Sequence, residues 1–387
     1  MKAVMMRAGW EPRAGYALSE AEKTSGKARM ASQVWRHPTF AWEDLPDPAP
    51  GHGEVVIRVR RCGVCGSDTH CYETDDEGYV LFSGPTRLPC VIGHEYSGEV
   101  IALGPGVRDL RVGDLVCAEG MLGCGVCEAC RVGRPNQCPR LEMVGFSSPG
   151  AFAEYIVAPE RFLWNLRALA EREGGAEAAL ELSALVEPIG CAFNGMFISA
   201  GGLLPGSWVG VFGCGPIGLG AVALARACGA AGIAAFDVVP ERAELARALG
   251  ADLALDPRAC DPAEVLKTLS AGWGADMIVE AAGAAHLTMP AIERAFAPGG
   301  RMVYLGRTGQ RAPVMLDVLV TQAAGIVGAR GHVGGGCFPR ILRLMERGRL
   351  PVQPMITRRY EFGDALKALH RSTDRREGKV MVTLGSV

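Results

Sequence analysis

From Glu54 to Arg60 the sequence EVVIRVR alternates apolar with charged residues at a period of two, which predicts a half-buried strand. Strand-like runs recur at Gly98 to Leu103, Asp114 to Ala118 and Ala151 to Ala158, each bounded by glycine or proline. The chain also opens on such a run, resumes it at Gln33 to Trp35 after the polar stretch Ser19 to Ser32, and turns at the proline- and glycine-rich Leu45 to Gly53. Short strands at this spacing predict a compact, barrel-like β domain. From Trp208 the pattern changes to strands alternating with amphipathic helices, so the fold class is α/β, with a doubly wound parallel sheet in its second half. Asp276 to Gly283 and Gly299 to Gly306 read as later strands of that sheet, and Leu316 to Val320 as a strand at its edge. Val209 to Phe236 is apolar except for Arg226 and is long enough to span a bilayer. Its clustered glycines at 213, 215 and 218 instead mark a strand turning sharply into a helix, both buried.

Length and charge narrow the picture. A chain of 387 residues predicts two domains, and 49% hydrophobic residues suffice for a core in each. A formal charge of -2 gives no electrostatic footprint for nucleic acid or an anionic membrane, so a small-molecule partner is expected. Fourteen cysteines occur in a long chain whose start, MKAVMMRAGWEPR, lacks the apolar core of a signal peptide. Reduced thiols in a cytoplasmic protein are therefore expected, several of them bound to metal.

Three stretches carry the chemistry. Between Cys62 and Glu95, Cys65 and His94 offer the thiolate and imidazole that zinc prefers, and Glu187 is the candidate third ligand of a catalytic site with one open position. A Cys62–Cys65 redox pair, or a core histidine at His94, is the competing reading. Cys124, Cys127, Cys130 and Cys138 can surround a second zinc tetrahedrally and leave no position for substrate, which defines a structural site; an iron–sulfur cluster uses similar ligands. In WVGVFGCGPIGLGAVALARACGAAGIAAFDVVPER the glycines Gly213, Gly215 and Gly218, with Pro216 and Ile217 among them, follow a predicted strand and open a helix. Asp237 then stands at the end of the next strand, where a carboxylate accepts from both adenosine ribose hydroxyls and repels a 2'-phosphate. NAD is expected over NADP; the alternative is an acid that only caps the next helix.

With these motifs in this order, the chain resembles the zinc-dependent medium-chain dehydrogenase/reductase family nearly end to end. Gly66 after the zinc cysteine and the glutamate of LVEPIGCAFNG resemble its polyol branch, which includes sorbitol and threonine dehydrogenases. The segments YETDDEGYVLFSGPTRLPCVIGHEYSG, QVWRHPTFAWEDLPDP and GARGHVGGGCFPRI are similar to members acting on an inositol-derived ring. The resemblance implies a GroES-like catalytic domain at 1–188, rejoined by 332–387, and a Rossmann coenzyme domain at 189–331. It implies one catalytic and one structural zinc per chain, NAD, and a homo-oligomer, tetramer before dimer. Cys65, His94 and Glu187 would hold the catalytic zinc, with Glu95 entering or supporting the set and Asp68 orienting the histidine. Ser67 and His70 would relay the alcohol proton, Lys379 would lie near the pyrophosphate, and Arg242 near the adenosine ribose. The implied reaction oxidises a secondary hydroxyl of a polyol or cyclitol, within a cleft that closes over the cofactor. The acids Glu73, Asp76 and Glu77 are candidate partners for a ring bearing several hydroxyls or an amine; a solvated acidic loop is the plainer reading. A dehydrogenase of an aminocyclitol intermediate in antibiotic synthesis, a sorbitol- or threonine-dehydrogenase-type enzyme, and a non-catalytic, nucleotide-sensing zinc protein are the alternatives.

Overall fold

The computed structural model describes residues 1–385 except 308, 333 and 335. It comprises two compact units: Met1–Glu187 with Arg358–Arg375 and the chain from Val380 onward, and Pro188–Thr357 with Arg376–Lys379.

In the first unit the alternating stretch forms the strand Glu54–Val64, longer than its pattern predicts and buried on both faces. It pairs antiparallel with Glu95–Leu103, with Tyr155–Pro159 and with Val380 to Thr383. The charged positions survive burial because they are paired: Arg60 with Glu99, Arg61 with Glu177. Leu115–Ala118 continues this sheet beside Glu95–Leu103. The opening strand, Lys2–Trp10, pairs instead with Trp35–Asp44. The polar stretch between them, from which no element was predicted, holds the helix Glu20–Ser25, N-capped by Ser19 and closed by Gly26.

The second unit is built on six parallel strands in the order Leu253–Leu255, Gly232–Phe236, Trp208–Phe212, Ala275–Glu280, Phe296–Tyr304, Gly325–Gly328. Trp208–Phe212 lies between strands reached in opposite directions, so ligands of such a sheet bind beyond its carboxyl end. The apolar run from 209 to 236 resolves into strand, helix Pro216–Ala227 and strand. No single helix among the described residues is long and apolar enough to cross a membrane.

Two expectations are corrected. Leu316 to Val320 is not the edge strand: the helix Leu316–Thr321 occupies it, with Asp317 in its first turn and Thr321 Oγ1 donating to the Asp317 carbonyl, while Gly325–Gly328 forms the edge. Val318 and Leu319 pack on the sheet's core, and this packing outweighs the β preference of valine. Residues 332–357 stay with the second unit, and the chain rejoins the first at Arg358. The helix Cys337–Glu346 buries Phe338, Ile341, Leu342 and Met345, with Phe338 set against Gly190 of the same unit.

Candidate active site

The strand Glu54–Val64 ends where the helix Gly66–Tyr72 begins, and Cys65 is the N-cap between them. Asp68, three residues on and fully buried, turns back so that Oδ2 accepts the Cys65 N–H at 2.9 Å. Its Oδ1 lies 3.4 Å from Nδ1 of His94. One carboxylate thus orients two of the expected ligands and leaves the histidine's Nε2 facing the cysteine side. His94 follows Gly93, whose φ of +89° needs glycine; a Cβ there would come within 3.0 Å of the Phe152 backbone nitrogen.

Cys65, His94 and Glu95 bring one ligand atom each to within 4.8 Å of one another. Sulfur, nitrogen and oxygen converging on one point fit a zinc ion, with Ser67 Oγ alongside, 3.3 Å from His94 Nε2. Burial lowers the histidine's pKa, but Asp68 and Cys65 outweigh it and hold the imidazole well above its ordinary range. Zinc ligation requires the unprotonated ring nitrogen and the thiolate, so metal binding here is coupled to proton release. The ring packs on Phe146 at 4.9 Å, and Phe146 stacks on Phe82 at 4.4 Å. These aromatics escaped the sequence reading because no local spacing links them.

Glu187, in the helix Val186–Phe193, is buried but lies outside that ligand group. Ser67 and His70 stand three apart on one helix, hence on one face, and His70 is half-buried. Cys62 is fully buried in the central strand, its Sγ against Gly93, and it forms no disulfide with Cys65.

The four lobe cysteines also have sulfurs within 4.8 Å of one another. Cys127 and Cys138 are 3.7 Å apart at sulfur, and a tetrahedron with Zn–S bonds of about 2.3 Å has an edge of about 3.8 Å. Backbone N–H groups of Val126 and Cys127 hold the Cys124 thiol down at about 6, whereas burial pushes Cys130 up to about 11. Arg140 adds its guanidinium 3.1 Å from Cys124 Sγ and its N–H 3.3 Å from Cys138 Sγ. This cation suits a site whose four thiolates exceed the charge of the ion.

In the second unit Gly213 has φ +87° and a Cβ there would meet Ala282 N at 2.5 Å; a Cβ on Gly218 would strike the Gly213 carbonyl at 1.8 Å. Gly215 caps the helix, and Pro216 and Ile217 open it, leaving its positive end for a phosphate. Asp237 Oδ2 accepts the Cys214 N–H at 2.6 Å and Oδ1 the Val239 N–H at 2.8 Å, which ties the carboxylate to both the glycine turn and the start of the next helix. Arg242 reaches within 3.8 Å of a Cβ placed on Gly215 and donates to the Glu377 carbonyl. Lys379 is fully buried at the start of the strand Lys379–Thr383.

The acidic loop is largely engaged with the chain's own cations. Glu73 pairs with Arg375 at 2.6 Å and Glu77 with Arg13 at 3.0 Å, while Asp76 is exposed.

Residues 51–168 match the alcohol dehydrogenase GroES-like domain, and residues 216–347 match the zinc-binding dehydrogenase family. The scyllo-inosose 3-dehydrogenase of Thermotoga maritima is 38% identical over 90% of this chain and 91% of its own. The L-threonine 3-dehydrogenase of Saccharopolyspora erythraea is 33% identical over 89% and 96%. A solved alcohol-dehydrogenase-type structure from Thermotoga maritima superposes with a TM-score of 0.94 at 35% identity, covering 99% of this chain and 100% of that one. The chain therefore belongs to the zinc-binding, NAD(P)-dependent alcohol dehydrogenases.

Proposed function

We propose that this enzyme oxidises a secondary hydroxyl of a ring polyol, of the inositol or inosose class, to a ketone with NAD as hydride acceptor. The observation that carries the reading is the 38% identity over 90% of the chain to an enzyme named for an inosose. Cys65, His94 and one carboxylate, Glu95 or Glu187, would hold the zinc, which supplies Lewis acidity that lowers the pKa of an alcohol hydroxyl. Asp68 keeps His94 in the tautomer that presents Nε2. Ser67 Oγ, next to that nitrogen, takes the hydroxyl proton and passes it to His70, which is open enough to release it to water. The carbinol carbon gives up its hydrogen with both electrons, so one alcohol and NAD yield one ketone, NADH and one proton. Asp237 supports NAD over NADP, because a 2'-phosphate would meet its charge; Arg242 would lie along the adenosine ribose and Lys379 near the pyrophosphate. The edge strand Gly325–Gly328 and the exposed Met315, Leu316 and Val320 beside it support a homo-oligomer.

A second reading has its own observation: 33% identity to an L-threonine 3-dehydrogenase over 89% of the chain. An aminocyclitol substrate would also suit the acidic loop through Asp76. The test is a panel of inositols, inososes, aminocyclitols, sorbitol and L-threonine, each with NAD and with NADP, followed by NADH or NADPH absorbance. The highest kcat/KM is expected for a cyclitol with NAD; a highest value for threonine, or for any substrate with NADP, would overturn the corresponding part of the assignment.

A further inference from the structure

Residues 11–34 form an excursion between the paired strands Lys2–Trp10 and Trp35–Asp44, and its internal bonding makes it stiff. The carboxylate of Glu22, almost fully buried, accepts from the Ser19 N–H and hydroxyl, the Tyr16 hydroxyl, and the Arg29 N–H and guanidinium. From this base the excursion grips the loop at 73–88. Arg13 donates to Asp75 and Glu77 and lies over the Tyr79 ring, 4.0 Å from its centroid. The Ala31 and Ser32 N–H groups bond the Gly84 and Phe82 carbonyls at 3.0 and 2.8 Å, and Lys27–Ala28 pairs with Thr86–Arg87.

The other side of the same loop is fastened to the zinc site. The Phe82 N–H bonds the His70 carbonyl at 2.9 Å, the Glu73 N–H bonds Thr69 at 2.7 Å, and the Phe82 ring stacks on Phe146, which packs on His94. Without Arg13, Asp75 and Glu77 would carry like charges two residues apart with no shared counterion. Loss of Arg13 would also remove the nearer of two guanidinium groups over Tyr79, leaving Arg36 at 5.5 Å and so a looser turn, and a lysine cannot replace both bonds and the ring contact together.

We propose that Arg13 is a positioning residue: it fixes the 73–88 loop beside the zinc site and so sets the preference for a ring polyol over a small alcohol. The zinc cluster itself is held by Asp68 and the central strand, so a small alcohol needs none of this loop, whereas a ring polyol carries hydroxyls beyond the reacting carbon whose burial needs partners on the loop fastened beside the cluster. The inference rests on the ring-polyol reading for its substrate and on the geometry for the clamp.

The test compares wild type, Arg13→Ala and Arg13→Lys in two measurements: kcat/KM for the best ring polyol relative to 2-propanol, and amide hydrogen exchange at Gly78, Tyr79 and Leu81. In Arg13→Ala the ratio is expected to fall by about tenfold or more through KM, with 2-propanol oxidation and the KM for NAD unchanged and Arg13→Lys intermediate. An unchanged ratio, or equal losses for both alcohols, would overturn the proposal. If wild type oxidises no ring polyol, the functional reading fails separately. The clamp is then decided by exchange: faster at those amides in Arg13→Ala sustains it, and unaltered exchange removes it.

Discussion

The Nδ1 side of His94 is set by one carboxylate. Asp68, fully buried, spends one oxygen on the Cys65 N–H and sets the other against the imidazole. Asp68→Asn keeps the shape but loses the charge and can present an N–H to Nδ1, which favours the wrong tautomer. Zinc affinity measured by chelator competition is expected to fall by about 10- to 100-fold; an unchanged affinity would show that the contact is incidental. Cys65 and His94 were legible because their residue types are those zinc prefers, and Asp68 because the family resemblance implies an acid that orients the histidine. Glu95 or Glu187 as third ligand was not, since only the tertiary fold decides which carboxylate arrives, and the structure gathers Glu95. Glu73 and Glu77 read as substrate partners because their own partners, Arg375 and Arg13, lie 302 and 64 positions away. Glu119 carried no sequence signal at all. Burial pushes its carboxyl up to about 7, against one hydrogen bond from Trp164 Nε1. A raised folded value means that its stabilising contribution is complete below the ordinary carboxylate range and is lost as pH rises through about 7. Glu119→Gln cannot ionise there, so its unfolding free energy, measured by denaturant titration, should decline less than that of wild type between pH 5 and 9, by up to about 3 kcal/mol. Parallel declines would contradict this.

At the scale of elements, the thiolate lobe has few apolar residues of its own: Met121, Cys138 and Leu141 are its buried core. Metal binding must therefore supply much of its local folding energy. Cys130→Ser is expected to lower the zinc content by one equivalent and to increase proteolysis within 120–141, while the Cys65 cluster keeps its metal. Loss of both ions, or of neither, would contradict the separation of the two sites. The lobe was readable because its ligands are local in sequence, as was the glycine turn into Pro216–Ala227. The segment at 316–321 was misread for the opposite reason. Its valines favour a strand, but a sheet edge is assigned by what the chain packs against, and GIVG at 325–328 is too short and too flanked by glycine to announce itself. Glu54–Val64 shows the same limit, since its alternating charges implied one wet face and the paired arginines Arg60 and Arg61 allowed both to be buried.

For the whole molecule, the six-stranded sheet ends on an edge strand beside apolar side chains left 60–78% exposed at Met315, Leu316 and Val320. Such a surface is expected to be covered by a second copy, and sedimentation should give a tetramer before a dimer; a 40.9 kDa species at micromolar concentration would contradict it. The account depends most on metal at the Cys65 cluster. The direct measurement is zinc per chain by mass spectrometry of the metal, with NADH formation from the best alcohol substrate followed on the same samples during graded chelation. Two equivalents at the start, and activity lost in proportion to one of them while circular dichroism stays native, is the expected result. Full activity after that equivalent has been removed would contradict it.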